Sequence, residues 1–254
     1  LAASGGGSAS LRDAARGAWA AYRRHFPAFL VFGSCLAGFS LAYAGLKRPY
    51  SDPFEFWAWA LIDLLKAPVL AGTVLACCEA MRSRDPAKTR LLLLGPRTLR
   101  IFALELAYLA VMGALTNLLS PTFFSQLHIY SSNHALQSSV NLALTLTYLA
   151  LALAVTLLMI RFWLFYDVAQ NRVMRGQARP WRSAWALTSG RKMGFFLIKL
   201  TVLAPMAVGL MIKLPDGQRL FYHFGFRLLL GQFDILTTLI QAGFIDALIP
   251  ETNP

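Results

Sequence analysis

Apolar residues gather in six runs, at 28–46, 56–78, 101–119, 140–165, 194–214 and 228–249, separated by shorter polar stretches. Each run approaches the roughly 20 residues an α-helix needs to cross a hydrocarbon core of about 30 Å. No series of short alternating segments appears, as a transmembrane barrel would require. The pattern predicts an all-α polytopic membrane protein with six transmembrane helices. Three further segments mix apolar and basic positions. In LRDAARGAWAAYRRHF, Leu11, Ala15, Trp19 and Tyr22 recur at helical spacing, while Arg12, Arg16, Arg23 and Arg24 stay off that stripe. KTRLLLLGPRTLRIF precedes the third run and PWRSAWALTSGRKMGFF the fifth, each with an apolar half-turn, a basic cluster and an aromatic-led entry into a span. Gly95-Pro96 and Gly190 end these segments and turn the chain into the bilayer. The expected organisation is a flexible N-terminal tail over 1–10 and a single six-span domain over 11–254. Three units, about 11–78, 88–165 and 180–249, each join an amphipathic interfacial helix to a two-span hairpin.

Charge sharpens this topology. The chain carries 24 Lys and Arg against 12 Asp and Glu, a net +12. The N-terminal segment and the gaps after the second and fourth runs hold most of the cations, and the alternate gaps are poorer. By the positive-inside rule both termini lie on the cytoplasmic or matrix side, in a bacterial inner membrane or a mitochondrial or other organellar inner membrane. With 57% hydrophobic and 14% charged residues, a soluble globular domain is excluded. Nucleic acid is not an expected partner, because the cations are interleaved with spans rather than gathered in one domain. The expected partners are anionic lipid headgroups and other membrane subunits. The residues facing them are Arg16, Trp19, Arg23, Arg24, Arg97, Arg100, Trp181, Arg182, Trp185, Arg191 and Lys192, with the tryptophans as interface anchors. The acid-poor N-terminal segment has a second reading, as the remnant of an organellar targeting sequence.

Ionisable residues inside spans are costly, and each is a functional candidate by default. Asp63 and Lys66 stand three apart in the second run, where an i,i+3 ion pair explains them without any transport role and is preferred to a relay. Glu105 enters the third run about a turn in, and Lys199 the fifth, from where its stem reaches back to the basic face. Asp234 and Gln241 lie a heptad apart on one face of the last run, facing Asn117, Asn141 or a neighbouring subunit. Glu105 and Asp234 are the expected helix-orienting contacts, worth on the order of 0.6–2 kcal/mol each. No metal site, cofactor or catalytic residue is expected. Cys35, Cys77 and Cys78 have no metal-ligand spacing, His128 and His134 fall in a polar loop, and no hydrolase, zinc-protease, P-loop or dinucleotide motif is present.

The stretch 161–194, RFWLFYDVAQNRVMRGQARPWRSAWALTSGRKMG, resembles a hallmark of uncharacterised six-span inner-membrane proteins. These include the YciC-like group and the membrane domain attached to some glycerophosphodiester phosphodiesterases. Ser183, Ala184, Trp185, Leu187, Thr188 and Gly190 match its amphipathic helix. Pro68, Gly72 and the loop to Leu94-Gly95 are similar to the family's earlier loop, and Trp19, Tyr22, Arg23, Arg24 and Phe26 to its N-terminal motif. The loop 120–139 has no counterpart. The resemblance implies an architecture and no chemistry, since the phosphodiesterase activity belongs to a separate soluble domain. The leading functional expectation is a non-catalytic accessory or structural membrane component, or a bilayer-organising protein. It would pack laterally through faces bearing Gly113, Ala152 and Gly209. The alternative is a small transporter or channel using Asp63, Glu105, Lys199 and Asp234.

Overall fold

The computed structural model describes residues 6–44, 53–82, 85, 86, 89, 91–118, 137–177, 179–214, 220 and 223–248. They form eight helices, which we number α1 (Gly6–Arg24), α2 (Phe26–Ala44), α3 (Pro53–Met81), α4 (Pro96–Leu118), α5 (Gln137–Met174), α6 (Pro180–Gly190), α7 (Lys192–Met211) and α8 (Phe224–Leu248). Five of them contain stretches long and apolar enough to cross a membrane: Trp57–Met81, Pro96–Leu115, Leu149–Met174, Lys192–Met211 and Phe224–Leu248. The first expected span, α2, meets that criterion only together with α1, and the two helices are bent by 97° at His25. Several long apolar helices in one chain are what an integral membrane protein requires.

The helix bounds differ from the hydrophobic runs in three places. α1 begins at Gly6, inside the stretch expected to be a tail. α5 continues to Met174 rather than ending near 165. The polar run DVAQNRVM stays helical because Val168, Ala169 and Val173 on one side of it are fully buried. Ahead of the third span, where an interfacial helix is expected, the described residues between α3 and Pro96 include none. Residues 91–95 are irregular, docked on α3 by the Leu93 amide donating to the Pro68 carbonyl at 3.2 Å, and α4 starts at Pro96. Proline is favoured in the first helical turn, where its missing N–H would be unpaired anyway, and Pro96 opens α4 there. Among the described residues, the first and third units open with a helix of their own, α1 and α6.

α8 is the centre of the bundle, packing against α1, α2, α3 and α7, while α5 closes the far side against α4 and α6. α1 is seated on protein as well as on the surface. Its buried seam is Ala14, Ala18 and Ala21, one turn apart, whereas Trp19 on the expected stripe is 51% exposed. Alanine lets two helix backbones approach closely, so α1 lies along α8. The ends of α4, α5 and α8 that carry the basic gaps are tied together. Gly176, with φ +72°, ends α5 in a Schellman turn: its amide donates to Val173 O and that of Gln177 to Arg172 O. Arg97 at the start of α4 donates to the Met174 carbonyl at 2.9 Å. Arg175 donates to Asp246 and, at 3.0 Å, to the Ala242 carbonyl on α8.

Two glycines set how close α8 comes to its neighbours. A Cβ on Gly231 would lie 2.3 Å from the Gly33 carbonyl oxygen of α2. One on Gly243 would lie 2.5 Å from the terminal methyl of Met81. Backbone cannot give way and a methionine tip can. Gly231→Ala is therefore expected to cost about 1–3 kcal/mol, the range for overpacking, and Gly243→Ala distinctly less. Thermal unfolding of the two variants in detergent checks this; equal losses would mean that the α2–α8 crossing is loose. Of the small residues expected to form a lateral seam, Gly209 instead faces Phe226 of α8, with a Cβ placed 2.2 Å from its ring, and Gly113 is buried within the chain.

Candidate functional site

The ionisable residues of the spans meet in one cluster shared by α3, α4, α5, α7 and α8. Glu105 of α4 is its hub, 3% exposed. Its Oε2 accepts from Lys66 Nζ of α3 at 3.1 Å. Its Oε1 accepts from the Tyr166 hydroxyl and, at 3.2 Å, from Gln170 Nε2, both on α5. Lys66 also faces Asp63 one turn earlier at 3.9 Å, so the expected i,i+3 pair exists and is the longer of its two contacts. The Tyr166 ring stacks on Tyr108 of α4 with centroids 4.3 Å apart.

A second pair continues the cluster. Lys199 of α7 bridges to Asp167 of α5, and its ammonium lies 4.8 Å from the centre of the Trp163 ring. Lys199 is buried, so it is held within the bundle rather than reaching the basic face as expected. Below this pair Thr201 and Thr237 join α7 to α8 at 2.5 Å. Asp234 of α8 is exposed, yet the charges acting on it are Lys199, Asp167 and Lys66, on α7, α5 and α3. Its carboxylate is coupled to the cluster electrostatically, with no hydrogen bond or ion pair to it among the described residues. Gln241, a heptad on, is buried, and its amide nitrogen has no hydrogen-bond partner among the described residues. The contacts with Asn117 and Asn141 expected for Asp234 and Gln241 lie outside the described side chains.

The cluster gathers Asp63, Lys66, Glu105, Lys199 and Asp234 and adds Tyr166, Asp167 and Gln170. The last three fell in or beside a segment that hydropathy assigns to a loop. Their signal was the spacing Trp163, Tyr166 or Asp167, Gln170, which places polar groups on successive turns of a single helix. Among the described residues no three His, Cys, Asp or Glu side chains are grouped as a metal ion would need.

The expected interface residues divide by burden. All of Arg16, Trp19, Arg23, Arg24, Arg97, Arg100, Trp181, Arg182, Trp185, Arg191 and Lys192 are exposed. Arg97 nevertheless serves the fold, as the cap on α5. α6 buries Pro180, Ala184 and Thr188 and leaves Trp181 and Trp185 outward. Outside the spans, burial pushes the Tyr22 phenol up from its ordinary value. At Arg175 burial acts downward, and the neighbouring Cys78 and Asp246 more than offset it. The guanidinium is thus a fixed cation at the end of α5. Compared with known protein families, curated proteins and solved structures, the chain matches none.

Proposed function

We propose that this protein is a six-span integral membrane protein, with α2 as its first span, that passes protons through the α3–α4–α5–α7–α8 cluster. Both termini lie on the basic face, the cytoplasmic or matrix side of a bacterial or organellar inner membrane. One observation carries the reading. Asp63 and Glu105 pair with Lys66 and Asp167 with Lys199, and Asp234 is under the influence of both cations, so four carboxylates gather around two ammonium groups. An uncompensated charge in a low-dielectric interior costs several kcal/mol. Protons neutralise the excess without the grouped ligands a metal requires. Lys66 holds Glu105 and Asp63 and Lys199 holds Asp167, and the exposed Asp234, in no ion pair among the described residues, is the group left to exchange its proton.

An accessory or structural subunit is the alternative reading: Gly209 and Gly113 face inward, but Ala152 is half-buried and only 17% and 28% of the apolar stretches of α5 and α7 are buried, which leaves lateral surface for a partner. The same proton path is compatible with service in a larger membrane assembly, without bond-making catalysis. The test is reconstitution into proteoliposomes with an internal pH-sensitive dye. A potassium diffusion potential, negative inside, is expected to acidify the lumen faster than in protein-free vesicles. A rate equal to that of protein-free vesicles at either polarity would sink the reading.

A further inference from the structure

α5 and α7 are held together by the Lys199–Asp167 pair, and beside it they diverge around a cleft of about 500 Å³. Its apolar walls are Leu157 and Leu164 of α5 and Met193 and Phe196 of α7, and among the described residues its charged lining groups are Arg161 and Lys192. The volume lies in the roughly 300–1,000 Å³ range of ligand pockets. Arg161 is held in place: a guanidinium nitrogen donates to Ser189 Oγ at 2.5 Å, and its carbon lies 4.1 Å from the centre of the Trp185 ring. Both partners sit on α6, the amphipathic helix that carries two outward tryptophans. The cleft opens between the two least enclosed spans. Only 17% of the apolar stretch of α5 and 28% of that of α7 is buried, against 61% for α8.

From this geometry we infer that the cleft is a binding site for one anionic phospholipid of the surrounding bilayer. An acyl chain occupies the apolar walls and the phosphate lies against Arg161 and Lys192. Three properties select this occupant. An acyl chain enters sideways from lipid, where the walls are exposed. An anionic headgroup matches two cations lined by no acid. The Trp185 ring and the α6 surface place those cations where headgroups lie, since tryptophan concentrates at the membrane–water boundary. An arginine already oriented by a hydroxyl and a ring loses less freedom on meeting a phosphate than a free one does, and its remaining donors suit a phosphate's oxygens. The inference is independent of proton movement, because none of the cleft residues belongs to the carboxylate cluster.

Native mass spectrometry of the full chain, released from nanodiscs of phosphatidylglycerol and phosphatidylcholine with identical chains, tests it. The wild type is expected to retain one phosphatidylglycerol at least tenfold in preference to phosphatidylcholine. Arg161→Gln with Lys192→Gln removes that preference, and Leu157→Trp, which fills the cleft from an exposed wall position, removes retention of either lipid. Lys192→Gln alone, at an exposed site outside the packed core, lowers the preference and guards against misfolding of the double variant. Equal retention of both lipids by the wild type would overturn the inference. So would full displacement by millimolar inorganic phosphate, which would make the site one for a free anion. A protein dimer that carries no lipid would assign the cleft to a second copy of the chain and overturn it equally.

Discussion

Glu105→Ala is expected to lower the unfolding free energy by about 3–5 kcal/mol, the range for removing one partner of a buried ion pair. For a chain of this size each kcal/mol moves the midpoint by about 2–4 °C, so thermal unfolding in detergent should shift down by on the order of 10 °C. The loss is large because both carboxylate oxygens are engaged. Lys66 loses its closer carboxylate and keeps Asp63 at 3.9 Å, and Tyr166 and Gln170 lose their acceptor inside the bundle. Two further substitutions apportion the effect. Glu105→Gln keeps the side chain's shape and an acceptor for Tyr166, and isolates the cost of the charge. Lys66→Met combined with Glu105→Leu removes both charges, which is often close to neutral for a buried pair. That double variant recovers part of the loss and not all of it, because Asp63 loses its cation and each buried donor left unsatisfied still costs about 1–3 kcal/mol. A Glu105→Ala midpoint within 2 °C of wild type would mean that the pair is solvated and the cluster is not a structural hub.

What composition and periodicity make legible here is the length and number of apolar helices, because crossing a hydrocarbon layer imposes a length that any sequence must meet. α3, α4, α5, α7 and α8 all coincide with runs read from the chain. The register of each helix against its neighbours is a different kind of fact. Lys66 has Asp63 three residues away and Glu105 thirty-nine away, and the distant partner is the closer one in space. Nothing in a single chain distinguishes them. The ends of the helices escaped for a related reason. Past residue 165 hydropathy falls because Asp167, Gln170, Asn171 and Arg172 are polar, yet residues 168–174 are all buried and the helix continues inside protein. Asp167 was hidden by that fall. α1 shows the converse: its aromatic stripe is conspicuous, but the contact with α8 is made by Ala14, Ala18 and Ala21, whose small size is the property that matters and whose hydropathy is unremarkable.

Asp234→Asn is expected to reduce proton flux in proteoliposomes at least tenfold while leaving thermal stability within about 1 kcal/mol of wild type, as for surface substitutions away from packing. The two halves of this outcome come from different properties of one residue. The amide has nearly the carboxyl's shape and is accommodated on a face where Asp234 is exposed. It cannot, however, accept and release a proton at any physiological pH. Asp234→Glu, which restores the titrating group one methylene further out, should return measurable flux, and a merely structural role would give no such rescue. Asp63→Asn offers the contrast. Asp63 is buried beside Lys66, so its loss disturbs a charge already compensated and should cost stability before it costs flux. The sign of the pH dependence follows from the same excess of carboxylates. Acidification loads the exchanging carboxyl and alkalinisation empties it. Flux through a single exchanging acid should therefore pass through a maximum, falling on the acid side where release limits and on the alkaline side where loading limits. If Asp234→Asn conducts as the wild type does, Asp234 is not the exchanging group and the proposed path is wrong at its central step.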